Sequence, residues 1–416
     1  MKLPKLTKRF IQNELYKFCA GREIQIIIGQ YSPKSKWYPH DIIKVAIHAC
    51  LEQSSIEDLS STPETPSPDR VHDRFSELQL QQVEQLLNHW LQDVGSRLYF
   101  HKNTKITVSI DLYQQPYYGD PTPDWVTTMK RKKGTNYAIS FLIISVSTGK
   151  IRFPIAVRLM TRQLMSAKPA VVGELLDKLR LWLPITRVLL DRGFCSEEMK
   201  CELEQRGLKY VMAAIRRSGV KKAYREIVAC SQELAAEAGI NVKDRLALGR
   251  WVRSQGLDTF QVTGVRLNKQ ASPSTLVAVW VRHKTHNRDP KKRRIYSLFL
   301  YLTNCQLSPR YIVRLYGKRW IVETDIRCMG EFKAVTNSTS PQLRLFFQGL
   351  TMLFDSLWVV FSTLVQRHQN QKITAVTKET QWLIKQADQL VCIARWFKRW
   401  LRDDIFPEMF FRGGDA

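Results

Sequence analysis

Between residues 104 and 113 the chain alternates: Ile106, Val108, Ile110 and Leu112 fall on one face, Thr107, Ser109 and Asp111 on the other. A period of two predicts a strand, and this one ends on a carboxylate. Further strands are expected at Tyr137 to Val146 (YAISFLIISV) and Ile151 to Met160. A helix from Pro169 to Leu183 follows, then a short apolar strand, RVLLD, that again ends on an acid, Asp191. A helix led by Ser196 and a strand over Leu208 to Ala214 continue the alternation of a mixed α/β sheet.

On either side the pattern changes. WYPHDIIKVAIHACLEQ and LQLQQVEQLLNHWLQDVGSRL place apolar residues at i, i+3 and i+4, so residues 1–100 read as a helical region around a breaker-rich linker, Ser60 to Arg70. Residues 217–292 carry basic and polar connectors around strand-like TFQVTGVRL and STLVAVWVRH, which predicts a β-rich insertion. The strand RIYSLFLYLTN (Arg294 to Asn304) resumes the alternation, and Ser308-Pro309 opens a long helix, RYIVRLYGKRWIVETDIRCMGEF, with an N-cap and a proline at its first position. Leu345 to Val365 is about long enough to cross a bilayer. Asp355 interrupts it, however, and Gln348, Asp355 and Ser362 recur at every seventh residue, the stripe of a buried core helix rather than a membrane span. Residues 371–416 form a basic segment whose stretch QLVCIARWFKRWLRDD predicts an amphipathic helix.

Charge narrows the class. The 416 residues hold 64 Lys+Arg against 38 Asp+Glu, a net +26, with 44% hydrophobic residues. That is a folded chain with a surplus that calls for a polyanionic partner, nucleic acid above all, and argues against an enzyme of small neutral metabolites. The eight cysteines are scattered with no CxxC pair and no histidine at ligand spacing, so reduced thiols are expected instead of disulfides or zinc. The basic N-terminus has no signal-peptide core, which places the expected location in the cytoplasm, at the nucleoid.

Asp111 and Asp191 end strands of the same predicted sheet, and ligands of open α/β sheets sit beyond the carboxyl ends of strands. Two carboxylates meeting there repel unless a positive charge lies between them, which favours a hard divalent cation such as Mg²⁺. Tyr316, Arg319 and Glu323 stand at i, i+3 and i+7, on one helical face. At a phosphate, the arginine would grip the oxygens, the tyrosine contact the backbone and the glutamate complete a metal site. An ion-pair face in which Arg319 only balances Glu323 has the same spacing.

SIDLYQQPYYGD around Asp111, KGTNYAISF at Lys133 to Phe141, LLDRGF around Asp191 and YGKRWIVETDIR at Tyr316 to Arg327 together resemble the DDE transposases of prokaryotic insertion sequences, closest to the insertion-sequence-four-like group. The resemblance spans residues 105 to about 365. It implies a ribonuclease-H-like (retroviral-integrase-like) catalytic core in two parts, 104–216 and 293–370, interrupted by the 217–292 insertion. Asp111, Asp191 and Glu323 match a triad that holds two Mg²⁺ ions, for which Mn²⁺ can substitute. The family pattern puts a lysine seven residues after its glutamate, where this chain has Gly330; Arg327 and Lys333 are the nearest cations.

Three basic stretches are candidates for DNA contact: Lys130, Arg131, Lys132 and Lys133; Lys291 to Arg294; and Trp396 to Trp400, which interleaves cation with aromatic. Trp251 and Trp280 in the insertion suit either a core or a stacking role on unpaired bases. The expected activity is transposition: binding the terminal inverted repeats of a mobile element in double-stranded DNA, cleaving there, and transferring strands to target DNA, as a homodimer. A non-catalytic or decayed DNA-binding protein and a structure-selective nuclease on the same fold are the alternatives.

Overall fold

The computed structural model of the protein describes residues 12–13, 15–16, 36–59, 65–97, 104–132, 134–148, 151–268, 272–282, 296–319, 329–370 and 397–405. Its helices are α1 (Pro39–Glu52), α2 (Ile56–Leu59), α3 (Pro68–Glu77), α4 (Leu80–Ser96), α5 (Arg162–Ser166), α6 (Lys168–Arg180), α7 (Glu197–Gln205), α8 (Ser218–Glu237), α9 (Arg245–Ser254), α10 (Pro309–Gly317) and α11 (Pro341–Asn370). Its strands are β1 (Ile106–Pro116), β2 (Val126–Lys132), β3 (Thr135–Thr148), β4 (Ile151–Leu159), β5 (Ile185–Leu190), β6 (Lys209–Ala213), β7 (Thr259–Val265), β8 (Ser274–Arg282) and β9 (Tyr296–Thr303). The chain divides into two compact units, Met1–Thr104 with Leu112–Ser166 and Ile321–Ala416, and Lys105–Asp111 with Ala167–Trp320.

In the first unit α11 is the hub. Its window Pro341–Val360 is apolar enough to span a membrane but is 83% buried, packed on α4 and β4 as the heptad polar stripe predicts. Gln348 in that stripe accepts a hydrogen bond from Gln115 Nε2 at 2.9 Å. Gly349 lets the helices close up, because a Cβ there would overlap the Leu87 side chain of α4. The long strand β3 pairs with β2 through its first residues and with β4 through its last, both antiparallel, and the later part of β1 lies on its other side. The exposed edge of β4 is closed by α4: Asn88 donates to Val157 O at 3.0 Å and accepts from Val157 N at 2.8 Å, as a neighbouring strand would. Arg158 and Glu84 add an ion pair at 2.8 Å beside it.

The second unit is a sheet in the order β1-β5-β6-β9-β8-β7. β1, β5 and β6 run parallel and the rest antiparallel. Thr107 and Ser109, placed by the alternation on a polar face, are buried together with Ile106, Val108 and Ile110. Strands buried on both faces are the expected outcome for parallel pairing between helices.

Three details depart from the sequence pattern. β2 is hidden because VTTMKRK reads as a charge run, yet it pairs as a hairpin with β3. The breaker-rich linker ends in a helix start, since Ser67 caps α3 by accepting from Arg70 N. The expected β-rich insertion over 217–292 also contains α8, of 20 residues, and α9, of 10, beside β7 and β8. The buried stripe of α8 is Val220, Ala223, Ile227, Ser231 and Ala235, too narrow and too small to read as a helix among its basic neighbours.

Candidate active site on β1 and β5

The parallel register pairs Ile110 of β1 with Leu190 of β5. Asp111 and Asp191 are the next residues on the two strands, so backbone pairing alone brings two carboxylates side by side at the carboxyl end of the parallel sheet. Asp191 ends its strand and leads a one-turn helix, Arg192–Phe194, accepting from Phe194 N at 3.0 Å. Asp111 does not end its strand, because β1 continues to Pro116. The side chain of Asp111 is 18% exposed and that of Asp191 44%.

The charge between them is supplied by Arg319. Past the end of α10, Arg319 N donates to Tyr316 O at 2.9 Å, and the guanidinium lies 3.6 Å from Asp111 Oδ2 and 3.8 Å from Asp191 Oδ1. These are ion-pair separations, longer than direct hydrogen bonds. The residue is 7% exposed and stands 5.6 Å over the Tyr316 ring, which in turn tilts against Tyr301 at 4.6 Å. Tyr316 belongs to the apolar cluster of Leu189, Val211, Ile312 and Leu315. Burial raises its hydroxyl pKa and pushes that of Tyr301 up to about 12, so both rings are neutral at physiological pH.

Tyr316 and Arg319, expected to face DNA, are therefore both below the surface. Ile312, Leu315 and Tyr316 form the inward face of α10, and the ring forms a floor for the guanidinium. A further cation, Lys168, has no mark in the sequence pattern beyond its place before Pro169 at a helix start. Its ammonium donates to Gly193 O at 3.1 Å and lies 5.1 Å over the Phe194 ring, holding the turn that follows Asp191. Partial burial lowers its pKa.

The donor chemistry fits a hard divalent cation: two carboxylates from adjacent strands already converge on one positive group. Among the described residues no cluster of three acids, histidines or cysteines forms. Glu323, Arg327 and Lys133 lie outside the described residues, as do Lys291 to Arg294. Lys130, Arg131 and Lys132 are exposed on β2, and Lys333 is exposed after the turn Gly330–Phe332. The aromatic and basic run at 396–400 differs from its expected role, because its described part is largely internal. Phe397 is fully buried beside Trp358 and Trp400, and Lys398 donates to Gln53 Oε1 at 2.8 Å, leaving only Arg399 exposed. Apolar residues at Phe397, Trp400, Leu401 and Ile405 make this a core-facing helix. Trp280 is buried and Trp251 half-buried.

A solved piggyBac transposase synaptic complex with hairpin DNA superposes on the chain with a TM-score of 0.50 at 12% identity, covering 97% of this chain and 80% of that one. At that identity the likeness concerns the fold alone. No curated protein sequence matches. A family model, the transposase DDE domain, matches residues 117–354, a span that includes Asp191 and Arg319 and begins six residues after Asp111. With more than half of its length matched by that model, the chain belongs to the transposase DDE domain family.

Proposed function

We propose that the protein is a DNA transposase of the insertion-sequence-four-like group, with a ribonuclease-H-like catalytic core, that cleaves the ends of its element and joins them to target DNA as a dimer. The observation that carries this reading is the register of β1 and β5, which sets Asp111 beside Asp191 with the buried Arg319 charge between them. Glu323, four residues past Arg319, is assigned as the third acid. Two Mg²⁺ ions held by Asp111, Asp191 and Glu323 would lower the pKa of an attacking water or DNA 3′-hydroxyl and neutralise charge on the leaving oxygen.

The chain's own groups do the rest. Arg319 offsets the repulsion of the two carboxylates and keeps both aimed at one point. Tyr316 supports the guanidinium from below, and Lys168 fixes the turn that carries Asp191. Lys130, Arg131 and Lys132 hold DNA phosphates, with Lys133, Arg327 and Lys333 assigned to the same task.

The test uses the purified protein with labelled duplexes containing the DNA that flanks its own gene, in Mg²⁺, Mn²⁺ or EDTA, with Asp111→Ala and Glu323→Ala as controls. Metal-dependent cuts at fixed flank positions, absent in both variants, followed by joining to a second DNA, are expected. Cuts without joining or end preference would identify a structure-selective nuclease. Binding without cuts in either metal would identify a non-catalytic or decayed DNA-binding protein.

A further inference from the structure

From Trp125 to Gly173 the chain has 49 residues without a single Asp or Glu, and nine Lys or Arg. Lys130, Arg131 and Lys132 of that span are exposed together on β2, where a register shift between Thr128 and Lys132 breaks the strand's alternation and turns successive side chains outward. On the partner strand Tyr137 sits directly opposite Thr128 and is 37% exposed.

A second tyrosine is brought to the same hairpin. In the segment after β1, Tyr117 N donates to Tyr137 O at 2.9 Å and Tyr117 O accepts from Thr135 Oγ1 at 2.8 Å, which stitches the segment to β3. Tyr117 points inward, 3% exposed, with its ring 5.2 Å from Trp125 and Arg344 lying 5.4 Å over it. Gly119 follows because a Cβ there would run into the Tyr117 ring. With Tyr117 pinned, Tyr118 is the residue presented to solvent, 68% exposed. Two exposed rings beside three exposed cations combine phosphate attraction with faces on which bases can stack; the nearest acids in the sequence, Asp120 and Asp124, precede the acid-free span. On intact duplex the bases are already stacked, so the rings have a use only where bases are unpaired.

The geometry points to the β2–β3 hairpin, with Tyr118 and Tyr137, as a binding surface for a DNA strand carrying unstacked bases, its phosphates met by Lys130, Arg131 and Lys132. This assignment rests on the proposed action on DNA. It is tested with the full-length protein by fluorescence anisotropy across a salt series. One probe is a blunt duplex and the other is the same duplex with a few unpaired nucleotides at one end. The wild type is expected to prefer the second probe. Tyr118→Ser with Tyr137→Ser should reduce that preference roughly tenfold or more, whereas Tyr118→Phe with Tyr137→Phe should retain it. Lys130→Ala, Arg131→Ala and Lys132→Ala together should weaken both probes alike and lower the slope of log K against log salt by up to about 2.7, at about 0.9 per phosphate. A wild type without preference, or a folded serine variant that keeps it, overturns the assignment while leaving DNA action in place. Binding of neither probe at any salt would overturn both.

Discussion

Strand β1 serves two regions with opposite electrostatics. At Asp111 it places an acid against a second acid and a single buried arginine, while the hairpin β2–β3 holds exposed cations and no acid. In the first region each charge has a partner of the other sign, and removing one exposes the rest to repulsion at low dielectric. In the second the cations face water, where each is worth little to the fold and is available to a phosphate. The single net charge of +26 thus conceals two uses of charge: one sets the geometry of reacting groups, the other collects substrate.

The sharpest break of this contrast is Asp111→Asn. Cleavage is expected to fall at least about a thousandfold, roughly 4 kcal/mol in the barrier, while DNA affinity in a gel shift stays within about threefold; a matching loss of binding would merge the two regions. Asp355 extends the comparison to an acid on which burial outweighs the nearby arginine, Arg152. It is buried in α11, its Oδ2 has no hydrogen-bond partner among the described residues, and burial pushes its pKa up to about 7 despite Arg152. A raised carboxyl pKa means that the folded state binds the proton more tightly than the unfolded one. Stability is therefore full below about pH 4 and declines as pH rises towards 7, with a cost of at most about 4 kcal/mol. Asp355→Asn should accordingly raise the melting temperature at pH 8 and have little effect at pH 4. A variant less stable than wild type at pH 8 would show that the ionised carboxylate has a partner.

Next in size, Arg319→Met should destabilise the protein by about 1–3 kcal/mol, discounted for the exposure of Asp191, and Mg²⁺ or Mn²⁺ should restore much of the loss in a thermal melt. A variant insensitive to metal would separate the two carboxylates from any cation site. Smallest of all, alanine at Lys130, Arg131 and Lys132 together should change stability by less than about 0.5 kcal/mol in urea unfolding. A larger loss would mean that these cations are structural, like Arg319.

Much of the site is legible in the amino-acid order alone. Asp111 and Asp191 stand out, as do Tyr316 and Arg319, because alternation and helical period are local signals, while Glu323 lies outside the described residues. What stays hidden depends on distant partners. The sequence puts Arg319 on one face with Glu323, but nothing local says that its guanidinium reaches Asp111 and Asp191. The run at 396–400 reads as an open basic surface until Gln53 and Trp358 are seen to cover it. β2 escapes the pattern because its three exposed cations outnumber its two buried residues, Val126 and Thr127, and α8 because its buried stripe includes the small side chains Ala223, Ser231 and Ala235 beside Lys221, Lys222 and Arg225.

The position of Arg319 also orders events during synthesis. Asp191 leaves the ribosome 128 residues before Arg319 does (319 − 191), a delay of about 6–26 s at roughly 5–20 residues per second. Over that interval β1 and β5 must align two like charges without the guanidinium that later separates them. Nascent chains stalled before residue 319 should be cut faster by protease at β5 than chains stalled well after it. A residue made 128 positions later thus decides when β1 and β5 can settle, and a product truncated before Arg319 is denied an assembled pair of acids near DNA.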